Sequence, residues 1–142
     1  TLNQTKENGV NEGIADFTIP LCATIHLSGS TITLTSCSLA LMTIYGMPHD
    51  FSLMFGFILM LGITMVAAPG VPGGAVMAAL GLLGSMLGFS PELQSLMIAL
   101  YLTQDSFGTA CNVTGDGAIA IIVNRIAGFK LGEKKAATAN NN

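Results

Sequence analysis

Lysine and arginine are absent from the whole stretch between Lys6 and Arg125 of this 142-residue chain. Charged residues make up 9% of the sequence, hydrophobic residues make up 51%, and the mean hydropathy is +0.65. In a soluble globular domain about a quarter of the residues are charged. This composition excludes such a domain, so we expect a membrane protein. All basic residues therefore lie near the two ends of the chain. The basic segment at the C-terminal end predicts a cytoplasmic C-terminus.

Cysteine is also scarce. Cys22, Cys37 and Cys111 are odd in number, lie far apart and all fall in apolar segments. This pattern favours small packing residues over disulfides or a metal site built from cysteines.

Interruptions in the apolar sequence predict how the first half of the chain is organised. Residues 1–13 are polar, and we expect them to be a connection on the cytoplasmic side of the membrane. Residues 14–46 are apolar but too long for one span of about 20 residues. Because glycine and hydroxyl residues interrupt this segment near Ser28, we expect a helix, a break and a second helix.

The second half contains a predicted hairpin and a last helix. Residues 51–89 hold two apolar runs around a tip rich in glycine and proline, which cannot continue a helix. The second run, about 15 residues, is too short to cross a hydrocarbon core of about 30 Å. We therefore expect a re-entrant hairpin, whose tip is tolerated at membrane depth only if it lines a cavity or is buried. A last helix is predicted over residues 92–126, followed by a polar cytoplasmic tail over residues 129–142.

Oxygen-bearing side chains form a stripe on this last helix. Asp105, Thr109, Asn112 and Asp116 follow the spacing i, i+4, i+7, i+11 and fall within roughly 60° of one another. A carboxylate near the middle of a bilayer costs roughly 2.5–3.5 kcal/mol on insertion scales, so it needs a compensating role. Such oxygens suit a hard cation such as Na⁺, and Asp105 is well placed to accept hydrogen bonds from a substrate ammonium group.

Each of these residues also has a purely structural alternative. Asp116 could be a protonated acid that is hydrogen-bonded to a neighbouring helix, and Asp105 could be a solvated acid in an aqueous cavity. Thr109 and Asn112 could cross-link helices, as hydroxyl and amide groups do in membranes. His26, at the expected helix break, is either a packing residue or a group that takes part in proton coupling.

Three segments resemble, in order, motifs of one known family. The segment Pro20–Ser30 resembles the motif P-L-G-A-T-I-N-M-D-G-T, and Asp105–Asp116 resembles D-x-x-R-T-x-x-N-V-x-G-D. The segment Gly70–Gly74 is similar to that family's second hairpin tip. The family is that of the dicarboxylate/amino acid:cation symporters of the glutamate-transporter type.

The resemblance implies an all-α membrane protein with broken transmembrane helices plus a re-entrant helical hairpin. Residues 14–128 would be the C-terminal part of the transport domain of an inverted-repeat transporter. The full protein would be a homotrimer, each protomer having a scaffold and a mobile transport domain. Because the scaffold is missing and the chain starts at Thr1 without a leader segment, we expect it to be the C-terminal piece of a longer polypeptide.

The resemblance also implies binding residues. The implied substrate contacts are Ser30, Val71, Gly73, Asp105, Thr109 and Asn112. The implied first sodium site comprises Asn112, Asp116, backbone near Cys22, and His26, whereas the second comprises Thr24 and backbone of Met65, Val66 and Ala68.

Two departures from the family motifs affect specificity. The asparagine and aspartate of the first motif are His26 and Ser28 here, which leaves a different ion stoichiometry or proton coupling open. The arginine that pairs with the second carboxylate of a dicarboxylate is Gly108. Without that guanidinium a neutral amino acid is favoured over a dicarboxylate, unless an arginine elsewhere in the protein replaces it.

The predicted function is secondary active symport of an amino acid or dicarboxylate with Na⁺, or with H⁺, across the plasma membrane. We expect a multi-pass protein whose partners are a small-molecule substrate and membrane lipid, and no nucleic acid. One alternative is a channel in which the same stripe lines a permanent cation pathway. An intramembrane protease ranks lower, because Asp105 and Asp116 lie about 16 Å apart on one helix.

Overall fold

The computed structural model describes the backbone of residues 1–139 and the side chains of residues 1–128. The predicted all-α class is confirmed within this part of the chain. The helices are α1 (Leu2–Glu7), α2 (Glu12–Ile25), α3 (Ser28–Ile44), α4 (Phe51–Met65), α5 (Gly74–Leu87) and α6 (Pro91–Ala139). Of the predicted polar tail over residues 129–142, positions 140–142 lie outside the described residues.

Among the described residues, two helical stretches are long and apolar enough to cross a membrane, Glu12–Ile44 and Pro91–Gly128. They support the predicted membrane location. The helices α4 and α5 have 15 and 14 residues. At 1.5 Å per residue each is about 20 Å long and shorter than a hydrocarbon core of about 30 Å, so neither crosses it alone.

The first of these stretches is interrupted between α2 and α3. His26 and Leu27 separate the two helices, and the Leu27 carbonyl already accepts the first bond of α3, from the Thr31 N–H at 2.9 Å. Pro20 lies inside α2 and has no N–H to donate to the preceding turn. The apolar segment is therefore irregular in two places, at Pro20 and at the non-helical residues 26–27.

The segment between α4 and α5 forms a tight tip over residues 66–73. The Asp50 side chain caps the start of α4 by accepting the Leu53 N–H at 3.3 Å. Gly73 is the N-cap residue that precedes α5, and its φ of +73° is a left-handed conformation that glycine adopts without strain. The tip therefore brings the chain back along α4, and α4 packs against both α3 and α5.

The chain divides into two compact units, and the boundaries fall inside α2 and α6. The first unit contains residues 1–23 and the part of α6 from Val113 onward. Its small core consists of Val10, Ala15, Ile19 and Ala120. Lys6 forms ion pairs with Asp16 at 2.8 Å and Glu12 at 3.0 Å, and the hydrogen bonds to these carboxylates raise the pKa of Lys6.

The second unit contains residues 24–112 and the larger core. Helices α3, α4, α5 and the first part of α6 contribute to it. Fully buried members include Leu34, Leu41, Phe57, Leu61, Leu83, Met97 and Tyr101.

Candidate functional site

Asn112 on α6 holds the start of α3. Its side chain is buried, its Oδ1 accepts the Gly29 N–H at 2.8 Å, and its Nδ2 donates to Ser30 Oγ at 3.0 Å. The first N–H groups of a helix have no partner within the helix, and the N-cap residue Leu27 supplies no side-chain bond. Asn112 therefore caps α3 from another helix, and two predicted substrate contacts, Ser30 and Asn112, touch directly.

The backbones of α3 and α6 meet closely beside this cap. A Cβ added to Gly29 would overlap the Gly108 carbonyl oxygen and lie 2.6 Å from the Cys111 Cβ. A Cβ added to Gly108 would lie 3.3 Å from Thr33 Oγ1. Glycine at position 29 is thus required for the two helices to approach, and a side chain at position 108 would point toward α3.

Asp105 connects α6 to the hairpin tip. Its carboxylate is half-buried, and its Oδ2 accepts the Gly73 N–H at 3.1 Å. Gly73 is buried, and an added Cβ would lie 2.9 Å from Leu102 Cδ2. The tip backbone therefore approaches α6 closely enough to bond the acid because position 73 has no side chain. Two further predicted substrate contacts, Asp105 and Gly73, are brought together.

The remaining predicted substrate contacts, Val71 and Thr109, are more exposed to solvent than the other four. Val71 is 61% exposed at the tip, and its N–H donates to the Pro69 carbonyl at 2.9 Å. Thr109 is exposed one turn after Asp105. Within the described part of the chain, the Thr109 hydroxyl is not hydrogen-bonded to Asp105 or Asn112.

Tyr101 is a residue of this region that sequence reasoning missed. It is completely buried, and its hydroxyl forms no hydrogen bond within the described residues. The side chains of Ser30 and Asp105 are near enough to interact with this hydroxyl, although neither forms a hydrogen bond of normal length and angle with it. The sequence feature that could have identified Tyr101 is its position one helical turn before Asp105. This spacing puts it on the same face of α6 as the oxygen-bearing side chains.

The predicted cation ligands divide between the two units. Cys22 and Asp116 belong to the first unit, where both are buried and close enough to interact electrostatically. The second unit holds Thr24, His26, Met65, Val66, Ala68 and Asn112. Within the second unit, Thr24 and Val66 are exposed, and His26 and Ala68 are half-buried.

The end of α4 has the electrostatics that a cation prefers. The backbone hydrogen bonds at this end join residues three apart instead of four. The Val66 N–H donates to the Ile63 carbonyl at 3.3 Å, and the Ala68 N–H donates to the Met65 carbonyl at 3.1 Å. Carbonyl groups at a helix C-terminus carry the negative end of the helix dipole. Across the described residues, no group of three or more His, Cys, Asp or Glu is close enough to hold a metal ion. The oxygens available are thus carbonyl, amide and single carboxylate oxygens, the kind that hard cations bind.

Comparison with known proteins identifies the family. The model of the sodium:dicarboxylate symporter family matches residues 1–126. The chain belongs to the sodium:dicarboxylate symporter family. The predicted resemblance is therefore confirmed, and the family and relatives of this chain are transporters rather than enzymes.

The relatives of this symporter-family chain include two serine/threonine transporters. Serine/threonine transporter SstT of Acinetobacter baumannii (strain SDF) is 30% identical over 119 residues, which cover 81% of this chain and 30% of that protein. The protein of the same name from Acinetobacter baylyi is 28% identical over 127 residues, 87% of this chain and 32% of its own length. The chain therefore spans about a third of the length of the curated relatives that it matches. No solved structure matches it.

Proposed function

We propose that the whole protein is a secondary active symporter that carries a neutral amino acid into the cell together with Na⁺. The observation that carries this proposal is the hydrogen bond between Asp105 and the hairpin-tip residue Gly73. A carboxylate suited to an ammonium group is thereby joined to the segment that would close over the substrate. Occupancy of the site and closure of the hairpin would then depend on the same group.

A neutral substrate is favoured by the charge of the second unit. No lysine or arginine occurs between Lys6 and Arg125, so residues 24–112 offer no fixed cation to a second carboxylate. Position 108, where the family motif has its arginine, is a glycine packed against α3. The names of the relatives, serine/threonine transporters, favour small hydroxyl-bearing amino acids among the neutral ones.

Sodium binding is proposed for oxygens in both units. Asp116 supplies a buried carboxylate in the first unit. In the second unit, Asn112 Oδ1 keeps a second lone pair after accepting the Gly29 N–H. The carbonyl groups at the end of α4, together with Thr24, are proposed to take a second ion. His26, half-buried at the helix break, is the residue through which protons could replace or accompany sodium.

The proposed arrangement in the membrane follows from helix lengths and charge. Since α4 and α5 are too short to cross, we propose that they form a re-entrant hairpin entering from the outer face. The basic residues after Asn124 favour a cytoplasmic C-terminus, which we include in the proposal. The whole protein is proposed to be a homotrimer in the plasma membrane, as the family resemblance implies.

Uptake into proteoliposomes tests the function. The whole protein is reconstituted with an inward Na⁺ gradient, and uptake of labelled serine is measured against competing alanine, threonine and aspartate. We expect saturable uptake that requires Na⁺, is inhibited by alanine and threonine, and is little affected by aspartate. Strong inhibition by aspartate would contradict the neutral preference. Single-channel conductance without saturable uptake would contradict symport.

A further inference from the structure

The buried hydroxyl of Tyr101 needs a partner that this arrangement does not supply. Its side chain is completely buried in the core of the second unit, and its hydroxyl forms no hydrogen bond within the described residues. Burial removes such a group from water, and native structures leave few buried polar groups unpaired. The ring packs like any core aromatic, so the hydroxyl itself requires an explanation.

The two polar side chains that interact with this hydroxyl, Ser30 and Asp105, already have other partners. Ser30 Oγ accepts a hydrogen bond from Asn112, and Asp105 Oδ2 accepts one from the Gly73 N–H. A carboxylate has about four acceptor positions on its two oxygens, so Asp105 keeps the capacity to accept a further donor. Tyr101 precedes Asp105 by one helical turn and lies on the same face of α6. Side chains four residues apart on a helix are neighbours, so the hydroxyl and the carboxylate can meet.

We infer that Tyr101 is a positioning residue whose hydroxyl donates to Asp105 when the hairpin tip moves away. This inference depends on the proposed function, in which the tip acts as a gate. Withdrawal of the tip takes the Gly73 N–H from Asp105 and leaves a half-buried carboxylate with no donor among the bonds described. The Tyr101 hydroxyl then replaces the lost donor. It stabilises the open form and holds the carboxylate in place for an incoming ammonium group.

The rate at which the tip opens tests this role. Val71 is 61% exposed at the tip, so Val71→Cys provides a reporter for a thiol reagent once the native cysteines are replaced by alanine. The whole protein is labelled in liposomes, with and without Na⁺ and serine. Tyr101→Phe keeps the ring and removes only the hydroxyl. Without substrate, we expect it to slow labelling by roughly tenfold, the size expected for one hydrogen bond to a charged group.

Two further variants make the result specific. Tyr45→Phe alters the other tyrosine of the chain, which is 55% exposed, and should leave labelling unchanged. Asp105→Asn removes the charged acceptor, so Tyr101→Phe should have little additional effect in that background. Faster labelling of Tyr101→Phe both with and without serine would show loosened packing and overturn the inference.

The outcomes separate this inference from the proposed function. If Na⁺ and serine protect the parent while Tyr101→Phe labels at the parent's rate, only the assignment of Tyr101 fails. If serine and Na⁺ do not protect the parent while Tyr101→Phe still slows labelling, Tyr101 controls the tip, and the proposed function is wrong.

Discussion

At the scale of single residues, the buried side chain of Asp116 is the carboxyl group proposed to bind the coupling ion. We expect Asp116→Asn to raise the Na⁺ concentration for half-maximal uptake by roughly tenfold or more, because an amide oxygen binds a hard cation more weakly than a carboxylate. The residue is buried in the first unit, and asparagine has nearly the same size. Serine uptake at fixed serine and varied Na⁺ measures the change.

Asp50→Asn is the matched control for this substitution. Asp50 is exposed and caps α4 through the Leu53 N–H. Asparagine is an equally good N-cap residue, so the sodium dependence and the stability should both be preserved. An Asp116→Asn protein that keeps the parent's sodium dependence would remove Asp116 from the cation ligands.

The residues of the candidate site differ in how far spacing alone could predict them. Helical periodicity predicted a shared face for Asp105, Thr109, Asn112 and Asp116. In the structure Asn112 and Asp116 are buried, Asp105 is half-buried and Thr109 is exposed. Periodicity could not predict their partners, because Gly73 and Gly29 lie 32 and 83 residues from Asp105 and Asn112. Long-range contacts of this kind depend on tertiary packing. For Asn112 the structure shows the contact between helices, and the proposed cation binding would use the remaining lone pair of its Oδ1.

At the scale of elements, the crossing of α3 and α6 depends on a missing side chain. We expect Gly29→Ala to destabilise the protein by about 1–3 kcal/mol, as overpacking does, because the new Cβ would overlap the Gly108 carbonyl oxygen. The Gly29 N–H bond to Asn112 would be strained by the same displacement. Thermal unfolding of the purified whole protein in detergent measures this loss.

Gly62→Ala is the control, since it adds the same methyl group inside α4. Apart from the adjoining helix backbone, no atom of the described residues lies within 4 Å of a Cβ added at Gly62. Alanine is the better helix former by about 1 kcal/mol, so this variant should be as stable as the parent or slightly more stable. Equal melting temperatures for the two alanine variants would show that the helices are not in close contact at Gly29.

Element boundaries were predictable where composition changes sharply. Glycine and proline around residues 69–74 marked the tip between α4 and α5, and the hydroxyl-rich segment marked the interruption after Ile25. The structure adds α1, which the polar composition of residues 1–13 did not predict. Thr5 and Val10 are buried in that segment, so packing within the first unit stabilises a helix that composition alone does not favour.

At the scale of the whole molecule, composition predicted the membrane environment better than it predicted the substrate. Apolar side chains that point outward from α4 illustrate the reason, with Phe51 84%, Phe55 52% and Ile63 68% exposed. Such a face must be covered by lipid or by other parts of the transporter. The substrate depends instead on a few polar groups whose arrangement only the folded chain reveals.

The proposed coupling between ion and substrate belongs to the whole protein, and it predicts a measurable relation between the two affinities. If Na⁺ favours the closed form in which Asp105 bonds the Gly73 N–H, Na⁺ must tighten serine binding, and serine must tighten Na⁺ binding by the same factor. Typical coupling free energies of 1–3 kcal/mol correspond to a change of about 5- to 150-fold. Calorimetric titration of the purified protein with serine at several Na⁺ concentrations, and with Na⁺ at several serine concentrations, measures both factors. Choline replaces Na⁺ in the control. Serine affinity that stays constant as Na⁺ replaces choline would mean that the two ligands do not act on a common gate, and symport through this site would be excluded.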